Sequence, residues 1–315
     1  MKIVILDKST LGEDIDLSPI YSLGETEEFS STPADLVAER VSGAEVIVIN
    51  KVKLGESNLK SAKNLKLICV AATGFDNIDT EYCRERGIAL CNVPGYSTDS
   101  VAQVTLSMAL SLVTHLPEYR EFVRSGEYSR SGIPNKLTPI YREISSMKWG
   151  VVGGGGIGMR VADIAAAMGA EVVVFRRKNE GKYPVVDIDT LCETCDIISV
   201  HLPLSVETRN LINAERISKM KSTALVINTA RGAVTDENAL AEAIINGKIG
   251  ALGVDVYSVE PFPENHPFNK IKDRENVCLT PHMAWGSKEA RARCVEKISE
   301  NIVSFYKGEN KNRIV

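Results

Sequence analysis

The run Gly153-Gly-Gly-Gly-Ile-Gly158 constrains this chain more than any other stretch of it. Four consecutive glycines lose much conformational entropy on folding, so a fold that keeps them must use the backbone freedom they provide. Glycines 153, 155 and 158 spell G-x-G-x-x-G, a weak signal when it stands alone. Here the apolar run 149–152 leads directly into it. A helical pattern leads out, with Val161, Ile164, Ala165 and Met168 spaced by three and four. Strand, tight turn and helix in that order make a phosphate cradle. Gly153 permits the turn, Gly155 lets the backbone approach a pyrophosphate, and Gly158 lets helix and strand pack closely. Gly156 and Ile157 open the helix, whose first N–H groups would face the phosphates. The pattern predicts a dinucleotide site.

The remainder of the chain has the rhythm such a site requires. Candidate strands fall at 2–6, 45–49, 66–70 and 88–91, and again at 148–152, 171–175, 196–200, 224–228, 249–254 and 277–279. Amphipathic stretches such as 33–41, 80–86 and 235–246 lie between them, with longer helical patterns at 98–113 and 287–307. Strand–helix alternation with short loops predicts an α/β protein with two doubly wound parallel-sheet, Rossmann-like domains. A length of 315 residues suits two domains. The stretch 117–144 breaks the rhythm and is long for a loop, so it is either a contact for a partner subunit or a surface excursion.

Other features exclude classes. A net charge of −4 disfavours a nucleic-acid polymer as partner, because binding a phosphate backbone needs a basic face. No apolar run approaches the roughly 20 residues that span a bilayer, and the start meets Asp7 too soon for a signal peptide. A cytoplasmic protein is expected. The seven cysteines are scattered, and Cys192-Glu-Thr-Cys195 has redox or metal spacing without a second pair to support it. Structural thiols in a reducing compartment, and no metal site, are expected.

The end of the strand at 171–175 indicates which dinucleotide. An NAD site places an acidic residue there to hold the ribose 2′-hydroxyl, but this chain has Arg176-Arg177-Lys178. Guanidinium groups grip a 2′-phosphate that a carboxylate would repel, so NADP(H) is the preferred cofactor and NAD(H) the alternative. Polar landmarks also follow strands elsewhere: His201, Arg231, Asp255 and His282 in the second series, Lys51 and Thr73-Gly74 in the first. Ligands of doubly wound sheets bind beyond the carboxyl ends of the strands, so these residues are expected to converge on a cleft between domains.

Three blocks resemble the signatures of the D-isomer-specific 2-hydroxyacid dehydrogenases. They are Asn228-Thr-Ala-Arg-Gly232, Gly253-Val-Asp-Val-Tyr257 with Glu260-Pro261, and Thr280-Pro-His-Met-Ala-Trp285. Supporting blocks are Ala72-Thr-Gly-Phe-Asp-Asn-Ile-Asp79, Asn92-Val-Pro-Gly-Tyr96 and His201-Leu-Pro-Leu204, in the family's order along nearly the whole chain. The resemblance implies a coenzyme domain, residues 99–287, inserted into a substrate domain made of 1–98 and 288–315. It also implies a homodimer whose contact includes 117–144.

The same resemblance implies roles. Arg231 binds the substrate carboxylate and polarises the 2-oxo group, with backbone N–H groups of Thr73 and Gly74 on the carboxylate's other side. His282 is the acid that protonates the developing alkoxide, and Glu260 pairs with it and favours its charged form. His201 and Asp255 lie near the nicotinamide, and Pro203, Thr208, Thr229 and Ala230 complete the cofactor set. Lys51 approaches the substrate, and Trp285 either lines the pocket or packs. The chemistry agrees independently, since hydride addition leaves negative charge on oxygen and needs a cation and a proton donor there. His115 and His266 are expected to be polar core or surface groups. Within the family the runs Asn50-Lys-Val-Lys-Leu54 and His282-Met-Ala-Trp285 are most similar to the glycerate dehydrogenase/hydroxypyruvate reductase branch. Reduction of a small 2-oxoacid is thus expected. The alternatives are a bulkier 2-oxoacid such as phenylpyruvate, or a non-catalytic dinucleotide-sensing module.

Overall fold

Segments such as Val46–Ile49 (VIVI) and Ile197–Val200 (IISV) have no polar face, so they are stable only when covered on both sides. The computed structural model, which describes residues 1–178 and 180–315, places them inside two parallel sheets. Two units separate, Met1–Ser97 together with Trp285–Val315, and Thr98–Ala284.

The first unit carries strands β1 (Lys2–Ile5), β2 (Glu25–Glu28), β3 (Val46–Ile49), β4 (Leu67–Val70) and β5 (Ala89–Cys91). They form one parallel sheet in the order β2-β1-β3-β4-β5. Alternate residues feed opposite faces. Ile3, Val46 and Leu67 join a core closed by the helix Lys288–Tyr306, while Val4, Ile47 and Ile68 join a second core with Val37, Leu59 and Cys83. Strand β2 is absent from the sequence-based expectation because Glu-Thr-Glu-Glu has no apolar period. It forms because β1 has an open edge, where Lys2 pairs with Glu27 at 2.9 Å and Lys8 with Glu28 at 2.5 Å. Charged residues on an edge strand also discourage pairing with another chain.

The second unit carries β6 (Lys148–Val152), β7 (Glu171–Phe175), β8 (Ile197–Val200), β9 (Leu225–Asn228), β10 (Ala251–Val254) and β11 (Val277–Leu279). Their order is β11-β10-β9-β8-β6-β7, again all parallel. Val152, Ile198 and Val226 face one core with Leu240, Ile244 and Phe268. Val151, Ile197 and Ile227 face the other, with Leu106, Ala109 and Val161. Trp149 of β6 is fully buried, and its indole N–H donates to Ser199 Oγ of β8 at 2.9 Å.

The stretch expected to lack regular structure holds two short helices, Leu116–Arg124 and Glu127–Ser131, neither of which buries a residue. Beyond them Leu137 is 75% exposed and Ile140 82%. None of the helices among the described residues is long and apolar enough to cross a membrane.

Ser199→Ala would leave the Trp149 indole N–H buried without an acceptor. Unfolding in urea should show a loss of about 1–3 kcal/mol, the cost of an orphaned buried donor. An unchanged midpoint and slope would contradict this account of the β6–β8 core.

Candidate active site

The glycine loop leaves β6 as its sequence requires. Gly153 has φ +116°, open to glycine but strained for other residues, and its N–H donates to Phe175 O at 2.9 Å. A Cβ on Gly158 would lie 1.9 Å from Gly153 O, so any side chain there would push the helix off the strand. A Cβ on Gly155 would meet nothing within 4 Å. The helix Gly156–Ala167 therefore starts beside an open backbone surface, and the N–H groups of Gly156, Ile157 and Gly158 have no acceptor within the helix.

The three cations after β7 differ in placement. Arg176 lies across the loop. A Cβ on Gly154 would be 2.9 Å from its Cδ, and one on Gly181 3.1 Å from its Nη1. Arg177 is exposed, with Nη2 4.0 Å from Glu207 Oε2, and Lys178 is exposed. Only Arg176 is set directly against the glycines.

His201 follows β8, its N–H bonded to Val152 O at 2.8 Å. The residue as a whole is half-buried, yet both ring nitrogens are out of solvent reach and have no protein partner among the described residues. Burial pushes the ring's pKa down to about 3, so it is neutral. A buried imidazole with no protein partner, beside a glycine cradle, fits a bound dinucleotide that would supply the missing hydrogen bonds.

Three other expected cofactor residues also make hydrogen bonds within the protein. Thr208 Oγ1 donates to Pro203 O at 2.6 Å and accepts from Ser205 N at 2.7 Å, closing its own loop. The buried Thr229 hydroxyl lies 2.9 Å from Thr105 Oγ1 on the helix Thr98–Val113. Ala230 N–H donates to Asn228 Oδ1 at 3.0 Å.

Arg231 leaves β9 on a loop organised by the buried Asn228, whose Nδ2 donates to Arg231 O at 2.9 Å. Arg231 Nη1 donates to Ala230 O at 2.8 Å. A Cβ on Gly232 would lie 2.1 Å from the backbone carbon of Tyr257, so glycine is what lets the Arg231 loop touch the loop bearing Glu260. Glu260 Oε1 accepts from Tyr257 N at 3.0 Å, and Oε2 is 2.6 Å from His282 Nδ1. An ionised carboxylate only accepts, so Nδ1 carries the proton in this bond and Nε2 is the nitrogen that can exchange a proton with a substrate. His282 sits at φ +52°, a conformation uncommon outside glycine and concentrated at functional sites.

Asp255, expected near the nicotinamide, is 1% exposed and turns both oxygens to the loop that holds His282. It accepts from Thr280 Oγ1 at 2.5 Å, Met283 N at 2.9 Å and Ala284 N at 2.9 Å. His266 is a core group, 3.2 Å from Glu237 Oε2 through Nε2. Glu237, absent from the sequence-based candidates, also accepts from Ser258 N at 2.8 Å. Nothing in its own stretch marks it, because it reads as an ordinary first-turn glutamate.

The expected substrate-side residues Lys51, Thr73, Gly74 and Trp285 belong to the first unit. Exposed Lys51 stands on a loop whose N–H groups at Asn50, Lys51 and Val52 reach the Asp7 carboxylate at 2.9, 2.6 and 3.1 Å. Burial raises the Asp7 pKa above its ordinary value despite those donors. Thr73 Oγ1 donates to Val93 O at 3.0 Å, and Gly74 is half-buried. Trp285 packs edge-on to Tyr96, with centroids 6.2 Å apart. Cys192 and Cys195 are buried, and that burial pushes their thiols up to about 12 and about 11.

The family profile described as "D-isomer specific 2-hydroxyacid dehydrogenase, NAD binding domain" matches residues 106–284. A glycerate dehydrogenase of Methylorubrum extorquens is 35% identical, covering 99% of this chain and 98% of its own. Among solved structures, a D-lactate dehydrogenase from Aquifex aeolicus complexed with NAD and lactic acid has a TM-score of 0.88 at 29% identity. It covers 100% of this chain and 99% of its own. An acyclic imino acid reductase in complex with NADPH and D-Arg has a TM-score of 0.86 at 28% identity, covering 100% of both chains.

The neutral, buried His201 has a consequence for acid stability. The unfolded chain takes up a proton on this residue near pH 6.5, whereas the folded ring resists it down to about pH 3. Stability therefore falls as pH drops through that window, by up to about 1.4 kcal/mol per pH unit from this group. His201→Gln should flatten the slope by that amount in urea unfolding at pH 6.5, 5.5 and 4.5. Equal slopes in both proteins would refute the assignment.

Proposed function

The chain belongs to the D-isomer-specific 2-hydroxyacid dehydrogenases, and from that premise we propose that it reduces a small 2-oxoacid of the hydroxypyruvate or glyoxylate type to the D-2-hydroxyacid, using NADPH in preference to NADH. The observation that carries the reading is the 2.6 Å pair between His282 and Glu260, the loop of Glu260 being in contact with the one presenting Arg231. A relative named for glycerate supports the substrate class, since oxidising the 2-hydroxyl of glycerate yields hydroxypyruvate.

When bound, the nicotinamide supplies the hydride that adds to C2. The carbonyl electron pair moves onto oxygen, and a positioned cation and a proton donor stabilise that charge as it develops. Arg231 is assigned the substrate carboxylate and the polarisation of the 2-oxo group. His282 gives the proton from Nε2 to the new alkoxide, while Glu260 accepts from Nδ1–H and orients the ring. The glycine loop with Gly156 and Ile157 is assigned the pyrophosphate, and His201 a neutral hydrogen-bonding contact. In the first unit, Lys51, Thr73, Gly74 and Trp285 are assigned to substrate contact.

Preference for NADPH is supported by Arg176, whose side chain lies over Gly154, and by the Arg176-Arg177-Lys178 run that stands directly after β7 in place of an acidic residue. The apolar residues exposed along 116–141, among them Leu137 and Ile140, support a homodimer formed through that segment. The enzyme is taken to be cytoplasmic.

A panel of glyoxylate, hydroxypyruvate, pyruvate and phenylpyruvate with each cofactor, followed at the nicotinamide absorbance, tests the function. Fastest turnover of hydroxypyruvate or glyoxylate with NADPH is expected. Best turnover of phenylpyruvate would replace the substrate class, and tight NADPH binding with no reduction of any member would favour a dinucleotide sensor. Arg176→Asp should weaken NADPH use about ten- to a hundredfold, the equivalent of one lost charged hydrogen bond, and improve NADH use. Unchanged preference would remove Arg176 from the 2′-phosphate site.

A further inference from the structure

Tyr257 bonds Glu260 directly and reaches His282 through Thr280. Its backbone N–H donates to Glu260 Oε1 at 3.0 Å, and its phenol donates to Thr280 O at 2.9 Å. Thr280 O also accepts from His282 N at 3.1 Å, so the phenol grips the carbonyl that anchors the histidine's own backbone. With Glu260 Oε2 2.6 Å from His282 Nδ1, the hydrogen bonds close into a ring through Tyr257, Glu260, His282 and Thr280.

Tyr257 is itself held from several sides. Its ring packs edge-on to Phe262, Phe268 and His266, with centroids 4.7, 6.2 and 6.1 Å away. The next amide, Ser258 N–H, donates to Glu237 Oε1 at 2.8 Å. Glu237 Oε2 is met in turn by His266 Nε2 at 3.2 Å, and His266 Nδ1 accepts from Phe268 N at 3.3 Å. Because Nδ1 accepts, the proton is on Nε2 and the imidazole donates to Glu237. Gly232 presses on the Tyr257–Ser258 backbone from a further direction. Burial, with Asp255, Glu260 and Glu237 nearby, raises the phenol's pKa above its ordinary value, so it remains a donor across the working range.

We propose that Tyr257 is a positioning residue of the proton relay, its main chain fixing Glu260 and its phenol fixing the His282 loop, so that the carboxylate–imidazole distance is set before substrate arrives. The inference rests on the reading of His282 and Glu260 as that relay. Hydrogen bonds of this kind act by holding a geometry that the reaction would otherwise have to organise.

Tyr257→Phe keeps the ring packing and removes only the phenol bond. In nitrogen-15-labelled protein, the Nδ1 proton of His282 held against Glu260 should give a slowly exchanging downfield resonance, identified by its loss in His282→Ala. In Tyr257→Phe that proton should exchange at least about tenfold faster, because one bond of the ring is gone. With NADPH and the best 2-oxoacid, kcat should fall about three- to tenfold across pH 5–9, with KM, NADPH affinity and thermal midpoint nearly unchanged. An unaltered proton signal or an unaltered kcat overturns the role. A fall in kcat that merely follows a lowered thermal midpoint or weakened NADPH binding also overturns it. If the wild-type protein reduces no 2-oxoacid, the proposed function fails, while the proton signal still decides for or against the clamp.

Discussion

Parallel strands buried on both faces leave their side chains no route to a ligand except at the strand ends, and the second unit depends on that constraint. Gly153 follows β6, Arg176 follows β7, His201 follows β8, Arg231 lies just beyond β9, Asp255 follows β10 and His282 lies just beyond β11. All six positions are at carboxyl ends, where the backbone stops pairing and turns. The sheet between them is filled by Val, Ile and Leu from both sides, which makes it a rigid frame for loops that could not hold their geometry alone.

The loops are then pinned by buried polar groups. Asn228 organises the Arg231 turn, Asp255 gathers the residues around His282, and Asp7 does the same for the Lys51 loop of the first unit. A carboxylate taken out of water is costly unless its lone pairs are met, and those of Asp255 and Asp7 are met mostly by backbone N–H donors. The same groups that would be expensive to bury unpaired therefore fix the course of the main chain. Reactive side chains thus inherit their placement from an inert layer beneath them.

Legibility followed physical range. Residues 148–152, 171–175 and 277–279 formed strands within the expected limits, because a short apolar run is stable in only a few environments. Glu25–Glu28 was invisible, since its pairing comes from an open edge of β1 and not from its own pattern. In the site, a resemblance of motifs placed Arg231, Glu260 and His282 among the candidates, and the folded chain brings Glu260 and His282 to 2.6 Å across 22 residues of sequence. The inward turn of Asp255 and the closure of Thr208 on its own loop had no local sign. Each depends on which amide happens to be within 3 Å once the loop is folded.

By itself, the sequence determined the parallel α/β architecture, the glycine turn and the acid–base residue types, because these follow from local period, backbone freedom and side-chain chemistry. Tertiary structure alone decided which of three adjacent cations lies over the glycines, and that both nitrogens of His201 are sealed from solvent with no protein partner among the described residues. It also decided that Tyr257 joins Glu260 to the loop of His282. Hydrogen bonds and burial are short-ranged, so they are settled only when segments distant in sequence come within a few ångströms of one another.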